Sequence, residues 1–278
     1  MPTVSFFLQK IFFFFSTAFV VLFAVFYSEL NDHRLHLVFL NVGQGDAIYI
    51  KTPDNHKILI DGGPQNVILD QLNAVMPFLG RELDLIVLTH PHADHLEGLV
   101  ELINRLRVKN ILINGADYDD AAYYEFLKII RGKNIKIFFA ESDQDFFLGD
   151  TVLDILYPFE QITGQTFENI NNSSIVMKIS YKDFSVLLGG DAEKEVEMEL
   201  LEEKINLNSD IFKASHHGSR TANNPDFINA IKPFFVVIQC GLNNDYGHPH
   251  LESILNFKRQ NVRKIYRTDT DGRIEFVY

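Results

Sequence analysis

Residues 83–95 read Leu-Asp-Leu-Ile-Val-Leu-Thr-His-Pro-His-Ala-Asp-His. The stretch 83–89 is a nearly unbroken apolar run, the pattern of a strand covered on both faces. A loop leaving the end of such a strand aims several side chains into one cleft. Here His90, His92, Asp94 and His95 bring three imidazoles and a carboxylate within six residues. These N and O ligands suit zinc or manganese. Two histidines in a surface loop would be ordinary, but four ligand-type groups at one strand end point to a metal. Cys240 is the single cysteine. It can form neither an intramolecular disulfide nor a cysteine zinc site, and is expected to be a small buried hydrophobe.

Outward from this stretch the chain alternates. Short branched runs at 35–42, 47–52 and 57–61 read as strands broken by Gly, Pro, Asn and Asp. A helix is expected over 66–80, the strand at 83–89, then a helix over 96–106 with apolar residues at helical spacing. Strand 110–114, helix 120–131 and strand 135–139 follow. The second half repeats the scheme, with strands 146–150, 151–157, 174–180 and 184–190 and an amphipathic helix over 192–204. Strand 210–215, a helix near 224–231, strand 234–240, a helix near 251–260 and two closing strands complete it. Each half reads as strands followed by alternating helices and strands, which fits two sheets between helical layers.

The chain has 278 residues, 46% of them apolar, enough for a sizeable core and against wholesale disorder. Its net charge of −12 excludes a generic basic nucleic-acid coat, so nucleic-acid contact would need a local patch or a bound cation. The C-terminus offers one: Lys258, Arg259, Arg263, Lys264, Arg267 and Arg273 against Asp269, Asp271 and Glu275. Such a patch holds phosphates if it lies near the metals, although a charge run is commonly a solvated face. Lys213 and Arg220 flank a second histidine motif at 216–218.

At the N-terminus, 11–27 carries no charge. That length is near the lower limit for a helix spanning a bilayer. A signal peptide would have a shorter apolar core and a small-x-small cleavage site, and Phe26-Tyr27-Ser28-Glu29 is a poor one. An uncleaved anchor is therefore expected over a secreted form or a buried soluble helix. Lys10 precedes the span while Glu29 and Asp32 follow it, which puts the rest of the chain outside the cytoplasm. Residues 28–34 read as a polar hinge that closes an anchor segment 1–34, and 35–278 as one domain.

The pattern His-x-His-x-Asp-His after a hydrophobic strand resembles the signature of the metallo-β-lactamase superfamily. Further pieces fall in the same order: LNVGQGDA (40–47), LIDGG (59–63), GGDAE (189–193), SHHGSRT (215–221), YGHPH (246–250) and YRTDTDGRI (266–274). Together they are similar to the metallo-β-lactamase-like domain attached to the ComEC/Rec2 DNA-uptake channel, and to free-standing relatives of that domain. With room for one span, the chain is not expected to be the channel itself.

The resemblance implies an αββα sandwich of two mixed sheets, preceded here by a transmembrane helix. It implies one or two divalent metals, Zn or Mn. His90 and His92 would hold one ion, Asp94 and His95 a second, and Asp191 would bridge them. Read by itself, Asp191 is also a candidate N-cap for helix 192–204. His217 matches the ligand position better than His216, which would support it or face substrate. Ser219 and Arg220 beside them are candidates for substrate contact. The superfamily usually supplies another histidine before the bridging aspartate, yet none occurs from 96 to 215. Asn172 and Ser173 stand there instead, which fits the DNA-uptake type and leaves one firm metal and a weaker second. Asn172 reads either as a partner for substrate oxygen or as a turn residue. Asp61 reads as a carboxylate orienting a ligand histidine or as a turn residue, and Asp46 admits the same readings. Of His248 and His250, one would contact a phosphate or protonate a leaving group if their loop joins the cleft; the alternative is capping of the helix near 251.

The expected activity is metal-dependent hydrolysis by an activated water, most directly of DNA phosphodiesters, with Asp94, His95, Asp191 and His248 as the catalytic set. No G-x-S-x-G turn supports a serine nucleophile. A lactone, thioester or other small ester is the alternative substrate. A non-catalytic module that presents DNA or docks a partner is the alternative of another class. The implied partners are DNA, the membrane and a DNA-uptake channel protein.

Overall fold

The computed structural model describes residues 2–30, 32–76 and 81–278. The chain begins with helix α1 (Pro2–Leu30) and continues through β1 (His36–Phe39), β2 (Ile48–Lys51), β3 (Lys57–Ile60), α2 (Val67–Asn73), β4 (Glu82–Leu88) and α3 (Ala93–Arg105). Then come β5 (Arg107–Ile113), α4 (Ala121–Gly132), β6 (Lys136–Phe139), β7 (Asp145–Leu148), β8 (Thr151–Tyr157), β9 (Val176–Tyr181), β10 (Phe184–Leu188) and α5 (Lys194–Glu202). It closes with β11 (Ile211–Lys213), α6 (Pro225–Ile231), β12 (Phe235–Ile238), α7 (Leu251–Arg259), β13 (Lys264–Arg267), α8 (Thr268–Asp271) and β14 (Ile274–Val277).

The strands form two seven-stranded sheets, ordered β14-β1-β2-β3-β4-β5-β6 and β13-β12-β11-β10-β9-β8-β7. Both are mixed. Strands β3 to β6 are parallel in the first, and β10 to β13 in the second. The reason is sequence alternation: parallel neighbours need crossovers, and α2 to α7 supply them. Leu85 and Val87 of β4 face the other sheet, where they meet Ile155, Met177, Ile179 and Val186. Ile86 and Leu88 face outward onto α3 and α4 through Leu96, Leu99, Leu102 and Phe126. On the other flank, α5, α6 and α7 bury Val196, Leu200, Phe227, Ile231 and Phe257 against β10 to β12, with Cys240 in the same layer. Each such side chain contributes about 1.5–3 kcal/mol by leaving water. The αββα order expected from the sequence is thus the observed one.

Several boundaries shift for local reasons. Helix α3 starts at Ala93, three residues before the expected 96, because His92 is extended and the chain turns helical at once. Asp94 and His95 therefore stand on a first helical turn, where a carboxylate also meets the positive end of the helix dipole. Helix α5 starts at Lys194, so its N-cap is Glu193 and not Asp191. Helix α6 begins where Asn224 accepts from the Asp226 N–H and Pro225 occupies the first turn. Helix α2 ends at Asn73; the remainder of the expected 66–80 helix includes 77–80, outside the described residues. The second closing strand does not stay in the second sheet. β14 crosses to pair antiparallel with β1, tying the last residues to the first sheet. At the N-terminus, α1 runs through Leu30, so the expected hinge at 28–34 starts as helix. Phe6–Ala24 is long and apolar enough to cross a membrane, and none of it is buried. It does not pack as the core helix of a soluble protein.

Candidate metal centre

The chemistry-bearing residues lie at strand ends. Asp61 follows β3, His90 and His92 follow β4, Asp191 follows β10, His216 and His217 follow β11, and His248 lies beyond β12. These are the C-terminal ends of parallel strands, where open α/β sheets place their ligands. Asp46 comes from the β1–β2 turn. Gly45 there has φ +141°, and a Cβ on it would fall on the Asp94 carbonyl oxygen. Its glycine lets the turn press against the start of α3, and the Asp46 N–H donates to that carbonyl at 3.2 Å.

Asp94, His95, Asp191 and His217 each bring one ligand atom to a group whose members all lie within 4.8 Å of one another. Asp191 Oδ2 is at its middle, 3.2 Å from His217 Nε2 and 3.3 Å from His95 Nε2. It also lies 3.9 Å from His216 Nε2 and 4.0 Å from His90 Nε2. His217 Nε2 approaches Asp94 Oδ2 at 3.0 Å. His92 stands further out, its ring 4.9 Å from that of His90. His90 Nε2, His95 Nε2 and Asp191 Oδ1 are buried without a hydrogen bond. Buried polar atoms are normally satisfied, and the imidazole nitrogens of His90 and His95 left without a hydrogen bond, converging on Asp191 Oδ2, fit a divalent cation.

Partners behind the cluster fix its orientation. Asp61 accepts from the Thr89 N–H (2.8 Å), the Thr89 hydroxyl (2.7 Å) and His95 Nδ1 (2.8 Å). That leaves His95 Nε2 facing Asp191. His217 Nδ1 donates to the Gln239 carbonyl at 2.9 Å and lies 3.3 Å from Asp46 Oδ1. His216 is turned differently, with Nδ1 3.0 Å from Glu193 Oε1. Both histidines have positive φ, at 46° and 52°, a tight turn that sends adjacent side chains in different directions. Lys213 is fully buried beneath them. Its ammonium pairs with Asp46, donates to the Gly190 carbonyl at 3.2 Å and lies 3.8 Å from Asp191 Oδ1.

The electrostatics follow from this packing. Burial alone would push His95 and His217 down, but Asp191 with Asp61 and Asp94 holds His95 well above the usual histidine range. Asp191 with Asp46 does the same for His217. Burial would raise Asp191, yet His217 and His95 hold it well below the carboxylate range. His90 is pushed well down by burial and by His95. The cluster therefore gathers positive charge, whether protons on His95 and His217 or a cation displacing them.

Other expected residues divide. His248 lines the cleft, a cavity of about 260 Å³ also bounded by Gln44, His92, Asp94, Tyr118, His216 and Tyr246. Burial and the neighbouring His217 and His216 push its imidazole down to about 4. It is neutral at pH 7, so it offers an acceptor and not a standing acid. His250 sits at the N-cap position of α7 without a side-chain cap; its Nδ1 accepts from the Arg220 N–H at 3.1 Å. Asn172 is turned to structure: its Oδ1 accepts from the Glu193 N–H at 3.0 Å and its Nδ2 meets Glu195. Ser173 is buried against Asn114, and the Ser219 hydroxyl pairs with Thr221. The basic C-terminal residues do not line the cleft. Arg267 is held by Asp269, Arg263 lies over Phe234 and Lys264 over Tyr266. Sequence reading passed over Gln44, Tyr118 and Tyr246. Gln44 and Tyr246 lie inside quoted motifs, whereas nothing in the run around Tyr118 marks it.

Comparison with known proteins agrees with this architecture. The chain is 27% identical to ComE operon protein 3 of Bacillus subtilis (strain 168) over 256 residues, covering 86% of the chain and 32% of that protein. It is 29% identical to Competence protein ComA of Neisseria gonorrhoeae over 243 residues, covering 85% and 31%. The chain thus spans about a third of the length of these relatives. Among solved structures, the metallo-β-lactamase fold protein YhfI from Bacillus subtilis superposes with a TM-score of 0.58 at 14% identity, covering 88% of this chain and all of that one. The diiron β-hydroxylase CmlA from Streptomyces venezuelae gives 0.57 at 14%, covering 88% and 54%. Zn(2+)-bound PqqB from Methylobacterium extorquens gives 0.53 at 10%, covering 87% and 99%. At these identities the likeness is one of fold. The family model for the metallo-β-lactamase superfamily matches residues 40–233, and the chain belongs to that superfamily.

Proposed function

We propose that this chain is a metal-dependent phosphodiesterase that cleaves DNA, held at a membrane by α1. The observation that carries the reading is the convergence of Asp94, His95, Asp191 and His217 at the floor of an open cleft, with buried donor atoms left unpartnered. These four residues would hold the firmer divalent ion, with His90 and His92 beside them as the weaker second set. A bound divalent metal supplies an activated water and offsets charge on phosphoryl oxygens. Asp61 keeps His95 in the tautomer that presents Nε2, and the Gln239 carbonyl does the same for His217. Neutral His248, at the cleft wall, accepts a hydrogen bond from the attacking water. The similarity to two competence proteins supports DNA over a lactone or thioester, and it makes a DNA-uptake channel the natural partner.

Phe6–Ala24 would span the bilayer, with Lys10 in its N-terminal, cytoplasmic half and the metal centre outside. The deciding assay uses the full chain in detergent, with single-stranded and circular DNA, Mn²⁺ or Zn²⁺ or chelator, beside Asp94→Asn and His217→Ala. Metal-dependent cutting that both variants lose is expected. Metal binding without cutting would move the reading to hydrolysis of a small ester.

A further inference from the structure

The metal cluster is joined to the rim of the cleft by a row of rings. His95 and His217 are 5.4 Å apart between centroids, inclined at 37°. His217 and His248 are 5.9 Å apart at 36°. His248 and Tyr246 are 5.7 Å apart and stacked at 19°. The row ends on Tyr246, which lines the cleft yet is 67% exposed. An aromatic ring that open would ordinarily be withdrawn from water, but the loop fixes it there. Asn244 clamps the loop, its Nδ2 donating to the carbonyls of Gly241 (2.9 Å) and His248 (2.6 Å). The His248 N–H donates back to Asn244 Oδ1 at 2.9 Å. The platform is thus preorganised, which reduces the entropy lost when a flat partner settles on it.

The charges around it narrow the partner. No Lys or Arg is among the described residues lining the cleft, and the chain carries −12. Duplex recognition rests on many basic side chains along the phosphate backbone, whereas the described residues beside this row of rings offer Arg220, next to His250. An unpaired nucleotide offers a π face as well as a phosphate, and stacking on an aromatic ring is available to every base.

We propose that Tyr246, backed by His248, is the stacking platform for an unpaired nucleobase next to the scissile phosphodiester, and that it makes the site selective for single-stranded nucleic acid. This rests on the phosphodiesterase reading above. Tyr246 acts on substrate binding and not on the metal, so its loss leaves metal affinity intact.

The test uses the full chain with Mn²⁺, a labelled single-stranded oligonucleotide, the same oligonucleotide with one abasic position moved stepwise past the cut, and the matching duplex. Tyr246→Ala is expected to lower kcat/KM on the single strand by roughly 5- to 150-fold, the worth of one base–aromatic stack, while Mn²⁺ titration is unchanged. Tyr246→Phe and Tyr246→Trp should stay within about 3-fold of wild type, since each keeps an aromatic face. One abasic position should impair the wild type by a similar factor and leave Tyr246→Ala unaffected. The duplex should be a poor substrate for both. If Tyr246→Ala cuts the single strand as wild type does, or loses the same factor on every abasic substrate, the platform is overturned while the phosphodiesterase reading stands. If the metal-loaded wild type cuts none of these substrates, the phosphodiesterase reading falls and the platform with it.

Discussion

Asp61 Oδ2 accepts a hydrogen bond from His95 Nδ1 at 2.8 Å, and the two side chains are both buried beneath the cleft. The other two partners of Asp61 are also donors, the N–H and hydroxyl of Thr89. The carboxylate is therefore an acceptor on every side. Neither Asn nor Ala reproduces it, because an amide NH₂ would face a donor. Asp61→Asn and Asp61→Ala should weaken Mn²⁺ or Zn²⁺ binding by about 10- to 100-fold, the usual effect of losing the partner of a ligand histidine. Calorimetric titration measures this, and unchanged affinity would remove Asp61 from the centre.

His216 and His217 are adjacent in sequence but separate in role. His217→Ala should lower metal affinity by more than the roughly 100-fold upper end expected for an outer partner. His216→Ala should cost less, since its Nε2 lies 3.9 Å from Asp191 Oδ2, against 3.2 Å for His217. Equal losses in the two variants would contradict the division drawn from the geometry.

Lys213 and Asp46 are both buried and pair directly. Lys213→Met leaves Asp46 and Asp191 without their shared cation, a loss on the order of 3–5 kcal/mol for breaking a buried pair. The double variant Lys213→Met with Asp46→Asn should recover part of it, because no uncompensated carboxylate remains at 46. Urea unfolding of wild type, Lys213→Met, Asp46→Asn and the double variant gives the cycle. A single-variant loss below about 1 kcal/mol would show that water relieves the pair.

Glu197 is buried and accepts from the N–H groups of Asn223 (2.7 Å) and Asn224 (2.8 Å). Burial raises its carboxyl to about 7, against the pull of those two donors. An unfolded chain releases this proton near the ordinary glutamate value, whereas the folded chain keeps it until about pH 7. The stability it contributes is complete below about pH 4.5 and is lost as pH rises to about 7. The loss is about 3 kcal/mol. Glu197→Gln does not titrate, so the stability difference between wild type and variant should move by that amount across the window. Parallel pH profiles would show that the carboxylate is solvated.

Much of this arrangement is legible in the chain. The apolar run before His90 marks a buried strand because both its faces need covering, and the turn residues at 61, 191 and 217 follow similar runs. Those features depend on neighbours within a few residues. The C-terminal cations were harder to read, since their partners Asp269, Phe234 and Tyr266 become partners only by packing. Asn172 stands where another ligand would be sought, but it holds the start of α5.

Strand and helix alternation, the apolar N-terminal run and the residue types at each strand end can all be read along the chain, because periodicity and turn chemistry are local. Which of them meet is set by long-range packing. Asp94 and His217 lie 123 residues apart and touch at 3.0 Å. Lys213 reads as a cation flanking the histidine motif and open to phosphate, until parallel pairing of β10 and β11 buries it beneath Asp191 and beside Asp46. Tyr246 joins the row of rings only because Asn244 folds its loop back over the cleft. Such contacts depend on sheet register and loop closure across the whole chain, and no short-range pattern encodes them.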